Sequence, residues 1–344
     1  MAGVGANRHS RLDRGGRSGS SNRPAVDQVF GPRDAAGLRH EKFVVTQAAM
    51  RQGPEQEKES ATMSIQAISA YKGVDINLER NPERKERLVA HLEEMGVADA
   101  YARHAAVDGR SVATTYSSTL SPGQLGCWLS HLGVLQAHKQ DAVDLHVIED
   151  DVKLSKDFIS SVRAISANLD EQHVTWDIVF TDVIVMDDVK THAFFSTRLK
   201  NFERNKSLSL VPLKDLQFAG TSSMLINRRS IQKCANFLSE GWKANVPIDI
   251  YIRDLVHQRK LNAFVTIPFL SSVSDLSAQS DICGPQDRSK AIYEVLRQAF
   301  FIDADLPKLL TRSQELTADS VHSPVDRIFM QAVGHVLGGH YKRF

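Results

Sequence analysis

Cysteine is scarce in this chain, and neither charge is in surplus. Cys127, Cys234 and Cys283 stand far apart, with neither the paired spacing of a zinc site nor the density of a disulfide scaffold. Reduced thiols in a cytoplasmic protein are therefore expected. With 42 lysines and arginines against 41 aspartates and glutamates the net charge is +1. No overall field draws in nucleic acid, so an anionic ligand has to be held by a local cluster. No run approaches the about 18 apolar residues of a membrane-spanning helix, and the N-terminus lacks the apolar centre of a signal peptide. Also missing are a glycine-rich phosphate loop, a GxSxG elbow and an HExxH motif, which leaves P-loop, serine-hydrolase and zincin chemistry without support.

What is present is 42% hydrophobic residues in a 344-residue chain, enough to fill a core. Residues 1–63 differ from the rest: RHSRLDRGGRSGSSNRP and RQGPEQEKESATM are polar and without periodicity. They are expected to form a disordered extension, with Met63 a candidate alternative translation start. Residues 64–284 carry the ordered pattern, and residues 285–344 read as a helical tail. The tail ends in DRIFMQAVGHVLGGHYKRF. Its apolar stripe and basic tip make it a candidate for peripheral contact with the inner face of an anionic membrane, although packing back onto the domain is the commoner fate of such a helix.

Strands alternate with helices along the ordered part. YKGVDINL alternates Val74, Ile76 and Leu78 with polar residues, and a helix follows, with Asn81 as candidate cap, Pro82 in its first turn and Gly96 after its end. QLGCWLSHLGVLQAHKQ reads as a largely buried helix started by Ser121 and Pro122, and DLHVIEDD as a strand running into acids. Later segments repeat the alternation, which predicts an α/β fold whose mostly parallel sheet is flanked by helices, with ligands at the carboxyl ends of the strands.

Four constellations could carry chemistry. Glu149, Asp150 and Asp151 end an apolar strand. Three like charges in one turn repel unless a cation or donors neutralise them, and hard oxygen ligands suit Mg²⁺ or Mn²⁺ bridging a diphosphate. A solvated acidic turn is the plainer alternative. Arg80, Arg84 and Arg87 share one helix face and could grip phosphates, or they could satisfy the interspersed Glu79, Glu83 and Glu86. Ser130 and His131 form a polar pair inside an apolar helix, suited to a ligand or to core hydrogen bonds. Asp249 follows a proline at a helix mouth, where it could be a general base or an N-terminal helix acid.

In order, INLERNPERKERL, AVDGRSV, LSPGQLGCWLSHLGVLQ and HVIEDDVKLSKDF resemble glycosyltransferase family 25, the lipooligosaccharide and collagen galactosyltransferase-like family, over roughly residues 71–284. The resemblance implies a GT-A-like (Rossmann-like) fold and an inverting transfer of a hexose, most often galactose, from a nucleotide-sugar donor such as a UDP-hexose. A glycan or glycolipid such as lipopolysaccharide would accept it. It also implies that Asn77, Arg80, Arg84, Ser130 and His131 line the donor site, that Glu149, Asp150 and Asp151 form the metal motif, and that PIDIYI carries a later functional aspartate, Asp249. PIDIYI, FAGTSSMLINRRS and AQSDICG are weaker matches than those four. Gln124 stands where the family usually has Glu, Asp75 interrupts a usually apolar strand, and Met224 replaces a common aromatic, which would alter the donor-sugar pocket. Two rivals remain at this point: a phosphoreceiver domain with Asp182 as acceptor, and a non-catalytic glycan-binding relative of the same fold.

Overall fold

The computed structural model describes residues 43–46, 71–116, 118–198, 202, 205–274 and 289–318. The chain divides into Met1–Arg39 and His40–Phe344, and every described residue belongs to the second unit. In chain order its elements are β1 (Phe43–Thr46), β2 (Tyr71–Asn77), α1 (Pro82–Glu94), β3 (Tyr101–Ala105), α2 (Gly109–Val112), α3 (Pro122–His138), β4 (Asp144–Glu149) and β5 (Val152–Leu154). They continue with α4 (Phe158–Glu171), β6 (Ile178–Phe180), β7 (Ile184–Val185), α5 (Asp188–Thr197), β8 (Ser207–Pro212), β9 (Phe218–Ala219), β10 (Ser223–Ile226) and α6 (Ile231–Gly241). The last are α7 (Ile248–His257), β11 (Ala263–Ile267), β12 (Ser271–Val273), α8 (Ser289–Phe300) and α9 (Leu306–Ala318).

Eight strands form one sheet in the order β1-β8-β11-β6-β10-β4-β2-β3. β2 is parallel to both β3 and β4, and β6 to β11, whereas β8 and β10 run against their neighbours. The sheet is thus mostly parallel, as the alternation predicts, with two reversed strands that the alternation did not disclose. Both faces are covered. Leu145 and Val147 of β4, with Ile178 and Phe180 of β6, join Trp128, Leu135, Leu238 and Ile252 on one side. Ile148 and Val179 point the other way, toward Leu88, Leu92, Phe158 and Ile165. This period-two division of apolar residues is what a sheet buried on both faces requires.

Two expectations need correction. Phe43–Thr46, within the stretch expected to be disordered, is a strand that pairs antiparallel with β8; its sequence FVVT is aromatic and β-branched, favourable for an edge strand. The remainder of residues 1–63 and the terminal DRIFMQAVGHVLGGHYKRF lie outside the described residues. The boundary near residue 285 is not a structural one either, because Ile292, Val295, Leu296 and Phe300 of α8 sit in the main core. Asp75, the acid in an otherwise apolar strand, is buried within β2, and burial raises its carboxyl pKa against the pull of Arg103.

The helix that faces the site starts as its sequence predicts. The Ser121 hydroxyl accepts the Gln124 N–H, and the Gln124 side chain accepts the Ser121 N–H, a reciprocal capping box with Pro122 in the first turn. Gln124 closes the box as a glutamate would at this position. Asn81, by contrast, makes no side-chain cap for α1. Trp128, fully buried, anchors α3 by donating its indole N–H to the Leu238 carbonyl at 3.1 Å.

Candidate functional site

A cleft of about 360 Å³ opens at the carboxyl ends of β2 and β4. Its walls are Leu78, Arg80 and Arg84 after β2, the segment Ala106–Arg110 that leads from the loop after β3 into α2, the start of α3 with Cys127, Ser130 and His131, and Glu149, Asp150 and Asp151. The loop lies directly on α3. A Cβ on Gly126 would come within 2.6 Å of the Val107 carbonyl oxygen, and one on Gly109 within 1.6 Å of the Pro122 carbonyl oxygen. Only glycine allows backbones to approach so closely. Ser130 fastens the same contact, since its hydroxyl accepts the Val107 N–H at 2.8 Å and donates to the Gly126 carbonyl at 2.6 Å.

The three acids divide their tasks. Asp150 turns inward, where Asn77 Nδ2 donates to Oδ2 at 2.8 Å and Arg84 Nη2 reaches Oδ1 at 2.7 Å. Glu149 Oε1 accepts from His131 Nε2 at 3.0 Å and Thr221 Oγ1 at 2.9 Å. Burial alone would raise the Glu149 carboxyl, but these bonds hold it below its usual value. Asp151 receives Arg84 Nη2 at Oδ2, 3.0 Å away, while its Oδ1 is buried without a hydrogen-bond partner. Burial, then the charge of Glu149, pushes the Asp151 carboxyl up to about 6 despite Arg84. Arg84 is also incompletely used, because its Nε is buried without a partner.

Of the residues singled out from sequence, Arg80, Arg84, Ser130, His131 and the acidic triplet therefore line one cleft, and Asn77 braces it from behind through Asp150. Arg80 lies 3.6 Å from Asp108, which Arg110 also engages. Asp249 is not among the lining residues: it sits in the first turn of α7, where Oδ2 accepts the Gly220 N–H at 3.0 Å and Oδ1 its neighbour Ile250 N–H at 2.8 Å. Met224 also lies off the cleft, in the core on β10. AQSDICG falls outside the described residues.

Sequence reasoning missed Thr221 and Arg297. Arg297 of α8 pairs with Asp182 and Ser222 in the interior, and its charge favours the ionised forms of Glu149 and Asp151. Its only sequence signal is a single arginine among the apolar residues of α8. Asp182 is 1% exposed. A carboxylate buried in an ion pair cannot accept a phosphoryl group from solvent, which removes the phosphoreceiver reading.

Arg84 of α1 and Asp151 after β4, each with one buried atom that lacks a hydrogen-bond partner, thus meet in the wall of one cleft. The sequence profile described as Glycosyltransferase family 25 (LPS biosynthesis protein) matches residues 51–252, and the chain belongs to this family. The chain is 29% identical over 123 residues to the probable inactive glycosyltransferase 25 family member 3 of Bos taurus. It is 28% identical over 123 residues to procollagen galactosyltransferase 2 of Homo sapiens. These alignments take in 30% of this chain and 20% and 19% of those relatives, so the chain spans about a fifth of the length of the curated relatives it matches. The apo crystal structure of mouse xyloside xylosyltransferase 1 covers 56% of this chain and 77% of its own at 11% identity and a TM-score of 0.26, a likeness too loose to support an argument.

Proposed function

We propose that this protein transfers a hexose from a nucleotide-sugar donor to a glycan hydroxyl by a single inverting displacement, with the donor diphosphate held in the cleft of Arg84 and Asp151. The observation that carries the reading is the pair of unpartnered buried atoms, Asp151 Oδ1 and Arg84 Nε, in that cleft. One calls for a cation and the other for an anion, and a divalent metal diphosphate supplies both. The carboxylate oxygens of Asp151 and Glu149 fit Mg²⁺ or Mn²⁺, which would neutralise charge on the departing diphosphate. Asp150, saturated by Asn77 and Arg84, holds the turn in place.

In this reaction the acceptor oxygen bonds to the anomeric carbon, the bond from that carbon to the diphosphate oxygen breaks, and the acceptor proton passes to a carboxylate. Arg84 and Arg80 orient the phosphates, and His131 and Thr221 fix the rotamer of Glu149. Asp249 was expected to take the proton. Its place behind Gly220 favours another role, that of bracing the turn from which Thr221 reaches Glu149. Asp249→Asn keeps an oxygen for the Gly220 N–H, so it should change turnover less than ~10-fold. A loss beyond ~100-fold with donor binding intact would restore it as the base.

The deciding experiment titrates UDP into the protein with and without Mn²⁺ by calorimetry and then follows UDP-galactose hydrolysis and transfer. Binding should require or be tightened by Mn²⁺, and Asp151→Ala should lower turnover at least ~10²-fold. Mn²⁺-independent UDP binding, or wild-type rates in Asp151→Ala, would sink the reading. Metal-dependent binding without turnover would leave the non-catalytic alternative, which the relatives named as inactive keep open. Lipopolysaccharide core and other surface glycans are the proposed acceptors, and the cytoplasm, with peripheral attachment at the inner membrane face, is the proposed location. No helix among the described residues is long and apolar enough to cross a membrane.

A further inference from the structure

Cys127 takes no part in the chemistry above, yet it lines the same cleft. It stands one helical turn before His131 on α3, so both side chains project from one face, and β4 ends with Glu149 opposite them. We propose that Cys127, His131 and Glu149 form a second cation site in the cleft, one that takes Zn²⁺ or a similar borderline ion in preference to Mg²⁺.

The geometry is close to what such an ion needs. His131 Nε2 is 3.0 Å and Cys127 Sγ 4.0 Å from Glu149 Oε1, and the three donor atoms lie within 4.8 Å of one another. Tetrahedral zinc with ligands at about 2.0–2.3 Å separates its donors by about 3.3–3.8 Å, so small side-chain adjustments suffice. All three residues line the cleft, which leaves the fourth position to solvent or to a ligand oxygen. A set of sulfur, imidazole nitrogen and carboxylate oxygen suits zinc, whereas Mg²⁺ prefers oxygen alone.

Binding must move two protons. In the free protein, burial and the charges of Glu149 and Asp249 raise the Cys127 thiol pKa well above its usual value. The thiol proton therefore leaves to solvent as the sulfur–metal bond forms. The imidazole, which donates from Nε2 to Glu149, shifts its proton to Nδ1 and offers Nε2 to the ion. Since Glu149 also serves the proposed diphosphate site, zinc should compete with Mn²⁺-UDP. That consequence rests on the proposed function; the binding itself does not.

Co²⁺ is the probe, added to the full-length protein and then displaced by Zn²⁺. A thiolate-to-cobalt charge-transfer absorption should saturate at one ion per chain and bleach with Zn²⁺. Cys127→Ser should abolish it, and His131→Gln should weaken cobalt affinity at least ~10-fold, while Cys234→Ser, Cys283→Ser and Asp151→Asn keep it. If wild-type protein shows no such absorption, or if Cys127→Ser leaves it intact, the inference is overturned. Should Cys127→Ser fail to fold, wild-type protein decides through alkylation of Cys127 read by peptide mass: protection by one equivalent of Zn²⁺ supports the site, and unchanged alkylation refutes it. A cobalt signal in a protein that does not bind Mn²⁺-UDP would remove the transferase reading alone.

Discussion

The ends of β4 and β6 invite comparison, because both strands run against β10 and so deliver aspartate to the same end of the sheet. After β6, Asp182 is fully used: Ser222 Oγ donates to Oδ1 at 3.0 Å and Arg297 Nε to Oδ2 at 2.6 Å. After β4, Asp151 keeps one oxygen unpartnered and shares Arg84 with Asp150. Residue type and topological place are alike; the difference lies in how many donors the rest of the fold supplies. A saturated buried acid serves stability, and an unsaturated one on a cleft wall is available for a ligand. The two ends are also joined, since the Glu149 N–H donates to the Ser222 carbonyl at 2.8 Å.

Breaking the saturated end should have the largest effect on stability. Arg297→Met leaves Asp182 buried without its cation and should cost about 3–5 kcal/mol in urea unfolding; a loss under ~1 kcal/mol would mean that the pair is not what holds α8. His146 on β4 is likewise saturated, between Tyr101 Oη at 2.7 Å and Ser223 Oγ at 3.0 Å, and burial lowers its pKa to about 3. The unfolded chain takes up this proton below pH ~6.5 and the folded chain does not until about 3. Stability should therefore fall with acidification through that window, by up to about 1.4 kcal/mol per pH unit from this group, and His146→Gln should flatten the slope measured by denaturation at several pH values.

Ser130→Ala should cost about 1–2 kcal/mol, because the Val107 N–H loses its acceptor; unchanged melting would show that the loop does not depend on it. Smallest of all should be Asp151→Asn at neutral pH. Removing a charge that its neighbours repel should leave unfolding free energy unchanged within ~1 kcal/mol or raise it. A loss of several kcal/mol would place Asp151 with Asp182 as a structural acid and erase the contrast.

Much of the cleft was legible in the sequence. The Ser121-Pro122 start, the spacing of Arg80 and Arg84, and the acids closing β4 are local signals, each readable within a few residues. The separate duties of the triplet were not, since they depend on Asn77, His131 and Thr221 arriving from three other elements. Arg297 was hidden for the same reason: it reaches Asp182 from a helix that read as a tail. The reversed strands β8 and β10 were hard to place because short buried strands carry no periodic mark of direction. Asp249 was named from its motif, yet its orientation depends on the N–H of Gly220, a residue at φ 102°, which Oδ2 accepts at 3.0 Å.

The meeting of Gly109 and Gly126 sets the gauge of the opening. Main chain rests on main chain there, so that wall offers evolution little to trim or enlarge. Any change in which ligand the cavity admits would have to be written on the opposite bank, at Leu78 through Arg84, or at its acidic end.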